Sequence, residues 1–125
     1  MAPDYSTVFN ALKPVLASRA RLLTVKTDNA AEYTLDTRSP SPFPQHKGHP
    51  LAFGSVHTGK AYVSFHLVPL YLCPALKQTI PPDLMKRMQG KACFNFKSVP
   101  EKSVLEELKR LTGACLDEWK RLNWL

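Results

Sequence analysis

Carboxylates are what the middle of this chain has least of. Between Ser41 and Lys97 a single acid, Asp83, faces seven bases: Lys47, Lys60, Lys77, Lys86, Arg87, Lys91 and Lys97. That stretch carries a net +6 of the chain's +7, together with all four histidines. A surface so short of oxygen anions attracts anions and repels hard cations. Glycine is scarce as well: the five present are isolated, which excludes a Gly-rich phosphate-cradling loop. Cysteine is limited to Cys73, Cys93 and Cys115, with no C-x-x-C pair. This odd, scattered set provides no disulfide framework and reads as reduced thiols in a reducing compartment. The most apolar run, Ala61 to Leu76, is broken by His66, Pro69 and Pro74 and falls short of the ~20 residues of a membrane span. The opening Met1-Ala-Pro-Asp-Tyr-Ser6 has neither the basic nor the apolar region of a secretory signal, so a cytoplasmic protein is expected.

What is present suits a globular domain. With 44% hydrophobic and 22% charged residues, the 125 residues are enough for one domain, 1–125, around one core. The eleven prolines are spread along the chain as punctuation between elements.

Val8, Leu12 and Leu16 recur at helical spacing over Asp4–Arg19, with Asp4 or Ser6 as N-cap and a kink or restart at Pro14. Leu22–Thr27 and Ala31–Thr37 are rich in β-formers and flank Asp28-Asn29-Ala30, a hairpin signal. Ser39 to Pro50 contains four prolines and predicts a long irregular loop. Leu51–His57 and Lys60–Leu67 predict a second hairpin closed by Thr58-Gly59, setting Leu51 opposite His66. Alternation then turns Ala52, Gly54, Val56, Ala61, Val63 and Phe65 towards the helices. It leaves Leu51, Phe53, Ser55, His57, Lys60, Tyr62, Ser64 and His66 on the opposite face.

Pro74–Ile80 and Pro82–Gln89 predict short helical segments, the second stopped by Gly90. Lys91–Lys97 alternates as a fifth strand, with Ala92, Phe94 and Phe96 inward. Ser103-Val-Leu-Glu106 is a capping-box signature, and Leu105, Leu108, Leu111, Cys115, Trp119 and Leu122 follow at helical spacing, with Gly113 a weak point. The order α-β-β-β-β-α-β-α predicts an α+β two-layer sandwich: an antiparallel sheet of about five strands with helices on one face.

Three stretches carry a resemblance: Lys60-Ala-Tyr-Val-Ser-Phe-His66, Pro82-Asp83-Leu84 and Gly90-Lys-Ala-Cys-Phe-Asn-Phe96. With the element order over residues 50–122, they resemble the YdhG-like domains of unknown function. Those domains are similar in fold to frataxin and to YjbR-type proteins. The resemblance implies a frataxin-like sandwich, and its frataxin branch implies iron binding on an acidic helix and strand edge. Asp4 and Asp83 are all that the first helix and residues 41–97 offer as carboxylates, so iron delivery by that route is not expected here.

The remaining chemistry is local. His46-Lys-Gly-His49, with His57 and His66, supplies imidazoles, but their spacing matches no zinc framework and Lys47 would repel a cation, so no metal or other cofactor is expected. Cys93 alternates onto the face type of Asn95 and could approach His66. No activating helix N-terminus or third partner accompanies it, so it reads as an inert strand residue and no catalytic residue is assigned. The reading that best absorbs these features is a small-molecule or anion-binding module. Its site would be the open sheet face, with Phe53, Lys60, Tyr62, Ser64, His66 and Lys47, and with Phe43 walling it if the Pro-rich loop folds across. An exposed aromatic face would also favour a homodimer. The alternative is a basic nucleic-acid-associated protein acting through Lys86, Arg87, Lys91 and Lys97.

Overall fold

A computed structural model describes residues 5–90 and 92–125; the Asp4 cap and Lys91 lie outside the described residues. The elements are α1 (Ser6–Ala17), β1 (Thr24–Asp28), β2 (Glu32–Pro40), β3 (Pro50–Thr58), β4 (Val63–Leu67), α2 (Val68–Leu72), α3 (Pro82–Met85), β5 (Met88–Gln89), β6 (Cys93–Phe96) and α4 (Lys102–Arg121). Short 3₁₀ turns at Ala20–Leu22, Pro44–His46 and Pro74–Thr79 link them. The strands form one antiparallel sheet in the order β1-β2-β3-β4-β6-β5, so the fold is α+β as expected, with six strands instead of five. No helix among the described residues is long and apolar enough to cross a membrane.

The helices cover one face of the sheet. Leu12 and Leu16 of α1 and Leu108, Cys115 and Trp119 of α4 are buried with Leu35, Val56, Val63, Phe65, Phe94 and Phe96. Pro14 sits inside α1 without interrupting it; being exposed, it costs that helix one N–H···O bond and no packing. α4 runs unbroken through Gly113, where the Arg19 side chain lies so close that a Cβ would come within 2.6 Å of its Nη2. The capping box is not made: Glu101 is the N-cap, no side chain caps it, and Ser103 falls inside the helix.

Two departures from the expected register decide what the open face carries. A two-residue turn at Thr58-Gly59 would put Thr58 at positive φ, which a β-branched residue resists. Instead Gly59–Tyr62 form the turn, with Gly59 N–H donating to the Tyr62 carbonyl at 2.8 Å and Thr58 pairing with Val63. Ser55 therefore faces His66, a shift of four residues. Four is even, so Val63 and Phe65 keep the inward orientation expected of them.

On β3 the parity does change. Leu35 pairs with Gly54 and its neighbour Asp36 with Ala52, so Phe53 is an extra residue in a β-bulge. Leu51 and Phe53 consequently turn inward while Ala52 turns out. Phe53 is 0% exposed and packs edge-on against Trp119 with ring centroids 5.6 Å apart. Gly54 allows the close approach this requires: a Cβ there would meet the His66 carbonyl at 2.9 Å and Leu16 Cδ1 at 3.1 Å.

The Pro-rich loop does not cross the open face. Phe43 packs on Trp124 at 5.4 Å, and Trp124 on Trp119 at 5.9 Å, which tethers the loop to the helix layer. Trp124 is brought there by a Schellman turn closing α4. Asn123 adopts φ 59°, its N–H donates to the Lys120 carbonyl, and Trp124 N–H donates to the Trp119 carbonyl.

Candidate functional site

With the helices on one side, the other side of the sheet presents polar side chains in two rungs. One runs Thr34–Ser55–His66–Cys93–Gln89 across β2, β3, β4, β6 and β5; the next runs Glu32–His57–Ser64–Asn95. His66 Nδ1 lies 2.6 Å from Cys93 Sγ, and Ser64 Oγ–H donates to Asn95 Oδ1 at 2.8 Å. Burial pushes the His66 imidazole below its ordinary range and the Cys93 thiol above its own. Both shifts favour a neutral imidazole beside a neutral thiol, the reverse of the thiolate–imidazolium pair of an activated cysteine.

The second rung leads into a groove of about 450 Å³ at the sheet end where β4 begins and β6 finishes. Tyr62, Lys86, Arg87, Gln89, Asn95 and Lys97 are among its lining residues, and none of those residues is a carboxylate. Arg87 lies over the Phe96 ring, 5.1 Å from its centroid, which holds the guanidinium in place. Since Asn95 uses its oxygen to accept from Ser64, its two N–H donors are left for the groove. Among the described residues no ion pair engages Lys86, Arg87 or Lys97. Two acids, Asp83 and Glu101, line a neighbouring cleft that shares Lys86 and Arg87.

The expected site residues are thus divided. Tyr62, Ser64 and His66 share the open side, and Tyr62 joins Lys86, Arg87 and Lys97, which the sequence assigned to a separate nucleic-acid surface. Phe53 is a correction: the bulge buries it, so one of the aromatics expected on the open face is absent from it. Lys60 is exposed in the turn before β4 and is not part of the groove lining. Lys47 sits at the apex of the β2–β3 loop and lines a different cavity. Gln89 and Asn95 were missed as groove residues. The alternation of 92–97 placed Asn95 on the open face, but its partner required the β4–β6 register. Gln89 required a strand hidden at the end of what reads as a helix.

Among the described residues no three His, Cys, Asp or Glu side chains gather as a metal-holding group. No family model, curated protein or solved structure matches the chain.

Proposed function

We propose that this chain is a binding module for small anionic molecules, seated between Tyr62, Arg87, Asn95 and Lys97. The observation that carries the reading is the convergence of three cations, two carboxamides and a phenol in a groove whose lining contains no carboxylate. A phosphate or carboxylate there would take a two-pronged contact from Arg87, which lies over the Phe96 ring, and N–H bonds from Asn95. The volume lies within the usual span of small-molecule sites, about 300–1,000 Å³. An antiparallel sheet with helices on one face is the arrangement that kinship with the YdhG-like domains implies.

A nucleic-acid surface is the competing reading, and the same cations would serve it. Phe94 and Phe96 are fully buried, so β6 offers no aromatic for bases to stack on, which favours the small ligand.

Thermal unfolding with inorganic phosphate, pyrophosphate or citrate tests the proposal. A ligand at ten times its Kd stabilises by about 1.4 kcal/mol, a rise of about 4 °C for a domain of this size. Arg87→Ala and Lys97→Ala should each remove the rise, and Arg87→Lys should restore only part of it. If none of the three anions moves the transition, and heparin or duplex DNA binds with a steep salt dependence, the nucleic-acid reading replaces this one.

A further inference from the structure

A second groove lies at the other end of β4, about 16 Å of strand away. Tyr62, just before β4, lines the anion groove; Val68, just after it, lines this one. Its volume is about 520 Å³, and it opens between the β2–β3 loop, the start of β3 and α2.

Its two walls differ in chemistry. Ala52, Val68, Tyr71 and Leu72 supply an apolar wall, and Tyr71 is 57% exposed, unusual for so large an aromatic. The facing wall is the loop, which contributes Lys47 and His49 and contains no carboxylate between Ser41 and His49. The loop wall stands ready-made. Ser41 N–H donates to the His49 carbonyl at 3.0 Å, Ser41 Oγ lies 2.6 Å from His46 Nδ1, and Phe43 anchors the loop on Trp124. The bulge that buries Phe53 is what turns Ala52 outward, leaving a small residue as the floor where a larger one would fill the space.

We propose that this groove is a second binding site, taking an amphiphilic monoanion: an aromatic or short-chain body with a carboxylate or sulfonate at one end. The body lies along Ala52, Val68, Tyr71 and Leu72, where burial of apolar surface drives binding. The charged end meets Lys47. The complementarity of an apolar wall with a cationic one selects this class over a sugar phosphate, which would leave the apolar wall unused, and over a neutral hydrocarbon, which would leave Lys47 unused. The site is separate from the anion groove and does not depend on it.

Fluorescence titration of the full chain with 8-anilinonaphthalene-1-sulfonate, and with the uncharged N-phenyl-1-naphthylamine, tests the assignment. The sulfonate should bind saturably at one equivalent. Ala52→Trp fills the floor and should raise the Kd of both dyes at least about tenfold. Tyr71→Glu, which sets a carboxylate on the apolar wall, should do the same to the sulfonate. Lys47→Ala should weaken the sulfonate about fivefold and leave the neutral dye within about twofold. Arg87→Ala should change neither.

The proposal is overturned if Ala52→Trp and Tyr71→Glu both leave sulfonate binding intact, or if Lys47→Ala affects the two dyes alike. Sedimentation with phosphatidylglycerol vesicles that Tyr71→Glu abolishes would reassign the groove to a lipid surface. Loss of dye binding as protein concentration rises, with a dimer in ultracentrifugation, would reassign it to a contact between copies.

Discussion

The Nδ1 atom of His66 and the sulfur of Cys93 lie 2.6 Å apart on paired strands, and burial shifts their pKa values in opposite directions. Below the ordinary histidine pKa of 6.5 the unfolded chain takes up a proton that folded His66 declines, so stability falls as pH drops. Above the ordinary thiol value of 9.0 the unfolded chain loses a proton that folded Cys93 keeps, so stability falls as pH climbs. Cys73 and Cys115, the latter pushed up to about 12, add to that alkaline limb. Urea midpoints from pH 5 to 10 should therefore show a plateau between the two values. His66→Asn should flatten the acid limb, and Cys93→Ala should shallow the alkaline one; an unchanged acid limb in His66→Asn would refute the account.

Phe53 should behave as a core residue. Truncating it to Ala opens a cavity against Trp119 and should cost about 3–5 kcal/mol by chemical denaturation. A loss below about 1 kcal/mol would place the ring at the surface after all.

Gly54 is held by contact on both sides. Gly54→Ala forces a methyl group towards the His66 carbonyl and Leu16, and should cost about 1–3 kcal/mol. Because the carbonyl it strikes belongs to His66, the same variant should change the exchange rate of the His66 ring signal by NMR.

The ends of α4 give a contrasting pair. Ser103→Ala should stay within about 0.5 kcal/mol of the parent, since no cap is lost there. Asn123→Ala should cost roughly 1 kcal/mol, because Asn123 holds φ 59°. It should also red-shift the tryptophan emission as Trp124 leaves Phe43 and Trp119. Equal effects at the two positions would contradict the observed caps.

Wherever local periodicity and position agreed, the sequence was a sufficient guide. The apolar stripe from Leu108 to Trp119 and the alternation of Ala92, Phe94 and Phe96 needed no tertiary information, because each buried face follows from geometry along one element. The inward turn of Val63 and Phe65 survived a wrong register because the error was an even number of residues. Phe53 was not legible: a bulge is a two-strand event, and nothing within Leu51–His57 announces the residue that β2 skips. β5 was hidden for a related reason. Met88 and Gln89 continue a helix in propensity, yet once α3 stops at Met85 the Arg87 carbonyl accepts from the Asn95 N–H and pulls them into the sheet.

The candidate site was legible in its parts and not in their grouping. Tyr62 and the pair Lys86–Arg87 are far apart in sequence, and it is the β4–β6–β5 pairing that gathers them. Lys47 was drawn towards the same anion on charge alone, whereas the Phe43–Trp124 contact holds its loop at the opposite end of β4.

The skipped residue in β3 makes one ribbon answer to two masters. Downstream of Gly54 the even-numbered positions belong to the oily interior; upstream the odd-numbered ones do. A saturation scan of residues 50–58 would therefore trace two tolerance waves out of step, with the phase jump falling between 53 and 54. Deleting Gly54 would remove the bulge and merge the waves, with the aromatic ring still inside and the small alanine still in water.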